Sequence, residues 1–286
     1  MKKTDMEQHP KIGLVATDLD GTLLRRDKSI SPEDWGMLEM LGERQIIRAI
    51  ATGRNFRKVK EVIPENAPFD YVAFSSGAGI YDCRNNELVF KQNIPVDTVN
   101  GIVGQLVGRK LNFYLFRAVP ENSYCWYYRG EHLCPEFERY YDFHRDFASL
   151  MPVPEKLDSE ACQFLVIFET AAAYLELKHE LETHFPNIRI LRASSPLDTG
   201  YIWMEIFHHD VSKGHAIRWL CDKHGIPHQA TFSIGNDYND LDLLDFTSIS
   251  YLVENSPDEL KNKYLLAPSN EDSGFSASLR KHFNLA

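Results

Sequence analysis

The sequence lacks the cysteine spacings of a disulfide framework or a zinc site. Its 286 residues include five cysteines, an odd number, and no two of them form a Cys-x-x-Cys pair. Disulfide frameworks usually contain an even number of cysteines, and structural zinc sites use closely spaced ligand pairs. We therefore expect ordinary thiols at all five positions, which are Cys83, Cys125, Cys134, Cys162 and Cys221.

Long apolar runs are also absent. The first ten residues are polar, and the short apolar run that follows them is interrupted by Asp18. A membrane span needs about 20 apolar residues, and the apolar part of a secretion signal is also longer than this run. These features predict a cytoplasmic protein that is not bound to a membrane.

An excess of positive charge is missing as well. The chain has 31 lysines and arginines against 41 aspartates and glutamates, which gives a formal net charge of -10. An acidic protein repels the phosphate backbone of nucleic acids, although a small anion can still bind at a local positive site. We therefore expect no nucleic-acid partner.

Three short apolar runs predict the strands of a buried parallel sheet. Residues 11–17, 46–51 and 71–74 each stop at a small or polar cluster, and apolar residues at helical spacing follow the first two runs. The segment 31–34 (SPED) has the N-cap, the proline and the early acids of a helix start. Strands that alternate with helices indicate a doubly wound α/β sheet, whose ligands bind at the carboxyl ends of its strands.

The pattern of apolar and polar residues changes after about residue 82, where shorter strand-like runs mix with aromatic-rich stretches. We predict an inserted α+β domain over residues 83–208 and a core domain made of residues 1–82 and 209–286. The core pattern returns at Ser212, which opens a helix that Gly225 ends. A length of 286 residues suits a core domain that carries a second, smaller one.

The segment DLDGT, residues 18–22, places two carboxylates at the end of the first predicted strand. Asp18 and Asp20 are two residues apart, so they point the same way while the chain is extended. One carboxylate can attack phosphorus and form a labile acyl phosphate, and the other can move the protons that the reaction needs. An Asp-Gly turn with solvated acids is the alternative interpretation.

Two further segments offer groups that can hold a phosphoryl group. Thr52, Gly53 and Arg54 follow the second predicted strand and supply a hydroxyl and backbone N–H groups at a helix start. Lys213 begins the helix after the insertion, where its ammonium can neutralise the charge of a phosphoryl group and a nucleophile. Taken singly, the first segment also fits a plain helix N-cap, and the lysine also fits a solvated side chain.

The segment GNDYND, residues 235–240, supplies clustered oxygen ligands after another apolar strand. Its candidate ligands are Asn236, Asp237 and Asp240, and hard cations such as Mg²⁺ prefer oxygen ligands of this kind. An Asx-rich turn that caps the following helix would contain the same residues. The segment by itself leaves both interpretations open.

In order and in context, the segments DLDGT, TGR, SKG and GNDYND resemble the four motifs of the haloacid dehalogenase-like (HAD) phosphatase superfamily, in particular its Cof-type branch. The resemblance covers nearly the whole chain and includes residues 75–78, where that branch usually has an Asn-Gly-Ala segment. It implies a HAD-like doubly wound parallel (Rossmann-like) core sheet with a large inserted α+β cap domain.

The resemblance also implies roles for single residues. Asp18 would be the nucleophile and a Mg²⁺ ligand, while Asp20 would be the general acid/base and would give its carbonyl oxygen to the metal. Thr52 and Lys213 would hold the phosphoryl group. Asn239 would hydrogen-bond to the site and orient it.

The metal ligands are the point at which the chain departs from the family pattern. Where the fourth motif usually begins Gly-Asp, this chain has Gly235-Asn236, and an aspartate follows at Asp237. Either Asn236 coordinates through its neutral amide oxygen or Asp237 takes its place, while Asp240 would bind the metal directly or through water. A neutral ligand should weaken Mg²⁺ binding without removing the oxygen donor.

These implications predict a Mg²⁺-dependent phosphatase of small phosphorylated metabolites, with sugar phosphates as the expected class. A phosphotransferase or phosphomutase that uses the same aspartyl-phosphate is an alternative, because the core does not fix which group accepts the phosphoryl group. A non-catalytic protein that binds a phosphorylated metabolite is another. The expected partner is the small phosphorylated substrate, and the sequence is compatible with a monomer or a homodimer.

Overall fold

A computed structural model of the chain describes residues 12–195 and 199–283. Residue 11 of the first predicted strand and the polar N-terminus lie outside these residues. The longest described helix has 14 residues, and no helix in this part of the chain is long and apolar enough to cross a membrane. In chain order the elements are β1 Leu14–Thr17, α1 Pro32–Glu43, β2 Ile47–Ala51, α2 Phe56–Lys60, β3 Tyr71–Phe74, β4 Gly79–Asp82, β5 Glu87–Lys91, α3 Val96–Gly108, β6 Phe113–Arg117, β7 Cys125–Tyr128, α4 Pro135–His144, β8 Ala148–Leu150, β9 Ala161–Phe168, α5 Ala171–His184, β10 Ile188–Ser194, β11 Ile202–His208, α6 Lys213–His224, β12 Thr231–Gly235, α7 Leu241–Phe246, β13 Ile249–Val253, β14 Leu265–Ala267 and α8 Gly274–Phe283.

The core of the molecule is an eight-stranded sheet in the order β14-β13-β12-β1-β2-β3-β4-β5. The six strands from β14 to β3 are parallel, and the β4–β5 hairpin adds two antiparallel strands at one edge. The predicted doubly wound parallel core sheet is therefore confirmed. Because β1 lies between β2 and β12, the loops that leave these three strands meet at one edge of the sheet.

The second sheet has six strands in the order β10-β11-β9-β6-β7-β8 and is mostly antiparallel. Helices α3 and α5 cover one of its faces through a shared apolar cluster. Side chains of the opposite face, among them Leu165, Trp203 and Phe207, belong to the same apolar cluster as Leu19 and Val59 beside the core sheet. The second sheet therefore packs its other face towards the core.

The structure places the first crossing between the two sheets later than the sequence pattern suggested. Strand β5 pairs with β4 in the core sheet, so the chain leaves that sheet after Lys91 and not after residue 82. The change of sequence pattern near residue 82 reflects the half-exposed edge strand β5, which does not have the pattern of a buried parallel strand. The return crossing lies between His208 and Lys213. The division into two domains stays a prediction.

The local helix signals agree with the structure. The Ser31 side chain accepts a hydrogen bond from the Asp34 backbone N–H at the start of α1, and the Ser212 side chain accepts one from His215 at the start of α6. Gly225 ends α6 with a left-handed φ of 62°. These caps satisfy backbone groups that a helix end leaves open, which is why short sequence patterns locate them.

The five cysteines are free thiols, as predicted. Burial raises the pKa of Cys83 and Cys221 to about 11 and the pKa of Cys125 and Cys162 to about 12. Since the thiolate is the reactive form of cysteine, these four side chains are protonated and unreactive at neutral pH.

A buried ion pair links β2 to the start of β3, and we expect its loss to destabilise the core. Asp70 accepts hydrogen bonds from the backbone N–H, Nε and guanidinium of Arg48, and Arg84 adds another. Burial raises the pKa of Asp70, but the hydrogen bonds and charge of Arg48 outweigh it and hold the pKa below its usual value. Asp70→Asn should lower the free energy of unfolding by about 3 kcal/mol, because it leaves Arg48 half-paired in a buried setting.

Urea unfolding of the Asp70→Asn chain tests this expectation. The matched control is Asp258→Asn, which breaks an exposed pair with Lys261 and should change the free energy of unfolding by less than about 0.5 kcal/mol. Equal midpoints for the two variants would show that the Asp70 pair does not stabilise the core.

Candidate active site

The candidate site residues lie where the central strands of the core sheet end. Asp18 follows β1, Thr52 follows β2, Ser75 follows β3 and Asn236 follows β12. The backbone N–H of Asp18 donates to the carbonyl oxygen of Ile234 at 3.0 Å, which ties the first loop to the last. The parallel register therefore brings together residues that are far apart in the sequence.

Lys213 joins two buried carboxylates at the centre of this edge. Its Nζ donates to Asp18 Oδ1 at 2.7 Å and to Asp240 Oδ1 at 2.6 Å, and a longer bond of 3.3 Å reaches Asn239 Oδ1. The ammonium group is buried, although lysine seldom is, because α6 begins at Lys213 and points it into the sheet edge. One cation is thus shared between two acids in a dry environment.

Burial and charge set the protonation of this cluster. Burial raises the pKa of Asp18 to about 7, opposed by the charge of Lys213 and assisted by that of Asp240. Burial lowers the pKa of Lys213, but the charges of Asp18 and Asp240 outweigh it and hold that pKa well above its ordinary value. Lys213 therefore stays an ammonium, and its charge opposes the protonation of Asp18 that burial favours.

Asp20 turns its carboxylate to two cations at the rim of the site. Arg54 donates from Nε to Asp20 Oδ2 at 2.5 Å and from its terminal nitrogen to Oδ1 at 2.7 Å, and Lys28 Nζ donates to Oδ1 at 2.9 Å. Burial raises the pKa of Asp20, but the hydrogen bonds and charges of Arg54 and Lys28 outweigh it and lower the pKa. Arg54, predicted to contact substrate, here contacts Asp20.

The amide of Asn236 closes a small corner between the first and last motifs. With its NH₂ group turned inward, the amide lies 3.3 Å from Asp18 Oδ2, 3.2 Å from the backbone carbonyl oxygen of Asp20 and 3.2 Å from Thr22 Oγ1. Gly21, with φ of 75°, makes room for the amide, because a Cβ there would lie 2.6 Å from the outer atom of the amide group. Turned the other way, the amide adds a third oxygen to those of Asp18 and Asp20, a donor set that suits Mg²⁺.

Asp237, the other candidate metal ligand, is directed away from this corner. Its carboxylate accepts hydrogen bonds from the backbone N–H of Ser194 at 2.9 Å and from Ser194 Oγ at 2.8 Å, at the end of β10 in the second sheet. Next to it, the guanidinium of Arg192 lies 4.2 Å from the ring centre of Tyr238. The structure thus places Asp237 in a contact between the two sheets and not beside Asp18.

Asp240 holds the backbone of the loop in which Asn236 and Asp237 point in different directions. While its Oδ1 accepts from Lys213, its Oδ2 accepts from the backbone N–H groups of Asn236 at 2.8 Å and Asp237 at 3.0 Å. Gly235 permits this close turn, since a Cβ there would lie 2.7 Å from the Asp240 side chain. Both oxygens of Asp240 accept hydrogen bonds, so its carboxylate is held between Lys213 and the backbone of residues 236–237.

The second motif lies beside this cluster. Thr52 is buried, and its Oγ1 accepts a hydrogen bond from the backbone N–H of Arg54 at 3.2 Å. A Cβ on Gly53 would meet Asn239 Nδ2 and Ser76 Oγ, each at 3.7 Å, so the loop runs close to both side chains without crowding them. Gly53 therefore lies close to Asn239, which in turn accepts a hydrogen bond from Lys213.

Some residues of the site were not found from the sequence. Asp242 Oδ2 accepts from the backbone N–H of Gly214 at 3.0 Å and holds the start of α6, and Lys28 pairs with Asp20. Glu205, on β11 of the second sheet, is buried and accepts from Ser76 Oγ at 3.5 Å. The sequence does contain a signal for Glu205, because it is the one acid in the otherwise apolar run IWMEIF.

Comparison with known proteins identifies the family of the chain. The family model of the haloacid dehalogenase-like hydrolases matches residues 15–279. A 5-amino-6-(5-phospho-D-ribitylamino)uracil phosphatase of Bacillus subtilis is 22% identical over 274 residues, which cover 95% of this chain and 98% of that protein. An HMP-PP phosphatase of Serratia proteamaculans is 25% identical over 257 residues, which cover 87% of this chain and 86% of that protein.

Solved structures show the same fold. BT1666 from Bacteroides thetaiotaomicron, a phosphatase of the HAD enzyme superfamily, gives a TM-score of 0.77 at 20% identity and covers 98% of both chains. The sugar phosphatase BT4131 of HAD subclass IIB gives a TM-score of 0.73 at 19% identity, over 96% of this chain and 99% of that one. The predicted fold class and enzyme class are confirmed, and the chain belongs to the haloacid dehalogenase-like hydrolase family, as an enzyme of its phosphatase type.

Proposed function

We propose that this chain is a Mg²⁺-dependent phosphatase that hydrolyses small phosphorylated metabolites, sugar phosphates in particular, through an aspartyl-phosphate on Asp18. The observation that carries the proposal is the buried Asp18 carboxylate held by the Lys213 ammonium, beside the Thr52 loop. The relatives named above are phosphatases of small phosphorylated compounds, which supports the substrate class.

In the first step an Asp18 carboxylate oxygen bonds to phosphorus while the bond from phosphorus to the leaving oxygen breaks. Asp20 gives the leaving oxygen a proton, and Lys213 and Thr52 stabilise the charge on the phosphoryl oxygens. Arg54 and Lys28 hold Asp20 deprotonated in the free protein. An incoming phosphate offers these two cations another anion, which allows Asp20 to take up the proton that it later donates.

In the second step a water molecule attacks the phosphorus of the aspartyl-phosphate. Asp20, now a carboxylate, takes the proton of the water as the phosphorus–Asp18 bond breaks, which releases phosphate and regenerates both aspartates. Asn239 keeps Lys213 directed at Asp18 through its 3.3 Å hydrogen bond. The second sheet contacts this edge of the core through Ser194 and Glu205, and these contacts would help to keep bulk water out of the first step.

The residues that would hold Mg²⁺ are the Asp18 carboxylate, the Asp20 backbone carbonyl oxygen and the Asn236 amide oxygen, with Asp240 acting through water. When bound, the cation offsets the repulsion between the phosphoryl group and the carboxylates. The close approach of these three side-chain and backbone groups in the structure fits that donor set. Asp237 is left out of it, because Ser194 occupies its carboxylate.

We expect Asn236→Asp to tighten Mg²⁺ binding about tenfold, because it adds a negative charge to the ligand set. Asp237→Asn should leave the Mg²⁺ affinity within about twofold of the native value. Magnesium titration of phosphate release, together with calorimetric Mg²⁺ binding, measures both. A loss of affinity in Asp237→Asn as large as that in Asn236→Ala would show that Asp237 is a metal ligand.

The proposed function itself is tested by phosphate release from a panel of sugar phosphates, polyol phosphates and nucleotides, in Mg²⁺ and in EDTA. We expect Mg²⁺-dependent release of inorganic phosphate from several sugar or polyol phosphates. Formation of an isomerised phosphosugar without free phosphate would show that the chain is a phosphoryl transferase and not a hydrolase. Binding of these compounds without any turnover would show that the chain is a sensor and not an enzyme.

A further inference from the structure

Glu205 is an isolated carboxylate on the face of the second sheet that packs towards the core. Along β11, Met204 and Ile206 pack under the helices of that sheet, whereas Trp203 and Phe207 belong to the apolar cluster shared with the core. Side chains alternate along a strand, so Glu205 shares the face of Trp203 and Phe207. It is 7% exposed, which is rare for a glutamate.

The carboxylate of Glu205 is poorly satisfied. It accepts from Ser76 Oγ at 3.5 Å, the outer limit of a hydrogen bond, and from the side chain of Gln163. Within the described residues it forms no salt bridge, and burial raises its pKa to about 7, opposed by the charge of Lys213. A carboxylate has about four acceptor positions, and buried charges are normally paired. Glu205 therefore retains acceptor capacity towards the space between the sheets.

The turn that carries Ser76 has a strained backbone and packs against the start of α6, the helix that begins at Lys213. Ser75 and Ser76 have left-handed φ values of 47° and 54°. Gly77 follows with φ of 95°, and a Cβ there would lie 2.4 Å from the backbone oxygen of Ser212, the residue before Lys213. Strain of this kind persists only where the surroundings fix it, and it clusters at functional sites.

Ser76 links Glu205 to the phosphoryl-binding loop. Its Oγ lies 3.5 Å from Glu205 and 3.7 Å from the position that a Cβ on Gly53 would take, next to Thr52. The backbone N–H of Ser76 also donates to the carbonyl oxygen of Thr52 at 2.8 Å, which ties the turn to that loop. Glu205 therefore lies one side chain away from the loop that would bind the phosphoryl group.

We propose that Glu205 is a specificity-determining residue that binds a hydrogen-bond donor, a hydroxyl or an ammonium group, on the leaving group close to the phosphoester. This inference rests on the proposed function and narrows its substrate class. A hydroxyl or ammonium donor satisfies the open acceptor positions of the carboxylate. A second phosphate or a carboxylate at the same place meets a buried negative charge, so the site disfavours bisphosphates and sugar-acid phosphates.

A purely structural role predicts a different behaviour. A structural carboxylate would have firm partners, and its removal would destabilise the fold. Glu205 has weak partners, so Glu205→Gln should leave the urea midpoint unchanged or raise it. Stability therefore separates the two roles before any substrate is added.

The test compares native and Glu205→Gln chains on four compounds: glucose 6-phosphate, glucosamine 6-phosphate, 6-phosphogluconate and p-nitrophenyl phosphate. For Glu205→Gln we expect kcat/KM to fall about 10- to 100-fold on the first two, because each loses a charge-assisted hydrogen bond. The value should change less than about threefold on p-nitrophenyl phosphate, which has no donor, and should rise on 6-phosphogluconate. Glu169→Gln, which changes an exposed glutamate just after β9, is the matched control and should alter none of the four.

Binding measurements test the role of Glu205 independently of turnover. Calorimetry on the Asp18→Asn chain should show glucose 6-phosphate binding at least about tenfold more weakly when Glu205→Gln is added, with inorganic phosphate binding unchanged. If the native chain hydrolyses none of the compounds but this difference appears, the proposed function fails and the Glu205 site stands. An equal loss on all compounds, or no loss on any, overturns the Glu205 site while hydrolysis stands.

Discussion

Asp18→Asn should abolish phosphate release, with a loss of at least about 10⁴-fold in kcat, because an amide cannot form the acyl phosphate on which both steps depend. The amide has nearly the volume of the carboxylate, and its oxygen can still accept the hydrogen bond that Lys213 donates. The substitution also removes one of two buried negative charges. The fold and substrate binding should therefore persist, so the loss reports on chemistry.

Phosphate release from the best compound of the panel measures this effect, and urea unfolding checks the fold. Asp27→Asn is the matched control, because Asp27 lies in the same loop but is exposed and contacts Ser29. It should keep the native rate within about twofold. More than about 1% of native activity in Asp18→Asn, with no trace of native protein, would rule out Asp18 as the nucleophile.

Lys213→Met should damage both activity and stability. Lys213 is the cation between Asp18 and Asp240, so its loss leaves two buried carboxylates facing each other without compensation. Removal of one partner from a buried ion pair costs about 3–5 kcal/mol, and we expect a loss of unfolding free energy in that range at neutral pH. Phosphate release should fall about 10³-fold, because the phosphoryl group loses a direct positive charge.

A second substitution separates the two effects of Lys213. The chain with both Lys213→Met and Asp240→Asn has one buried carboxylate fewer, so it should regain at least about 1 kcal/mol of the lost stability in urea unfolding. It should regain no activity, since the ammonium is still missing. A double variant no more stable than Lys213→Met would show that the repulsion between Asp18 and Asp240 is not the cause of the instability.

The contact between Asp237 and Ser194 gives the altered fourth motif a physical interpretation. Within the segment 235–240 of this chain, the side chain that faces Asp18 and Asp20 is the neutral amide of Asn236, while the carboxylate of Asp237 binds the end of β10 in the second sheet. The loop that borders the proposed Mg²⁺ corner therefore also contacts the sheet that covers the site. A change at Asp237 should act on the position of the covering sheet and not on the metal.

Much of the core could be predicted from the sequence, because its signals are local. The run 71–74 is a strand with those bounds, Ser31 and Ser212 cap their helices as their side-chain chemistry suggests, and Gly225 ends α6 in the left-handed region. A residue's neighbours set these preferences through burial periodicity and open backbone groups. The carboxyl ends of parallel strands lie at one edge of a sheet, so the motifs that follow these strands come together there.

Only the tertiary structure decided which polar groups pair across that edge. Asn236 faces Asp18 and Asp20 while Asp237 faces Ser194, and Glu205 meets Ser76, a residue 129 positions away. The sequence also could not place β5 in the core sheet, since an edge strand is recognised by its partner and not by its own pattern. Local chemistry determines where strands and helices begin and end, but hydrogen bonds between distant side chains depend on how the two sheets pack.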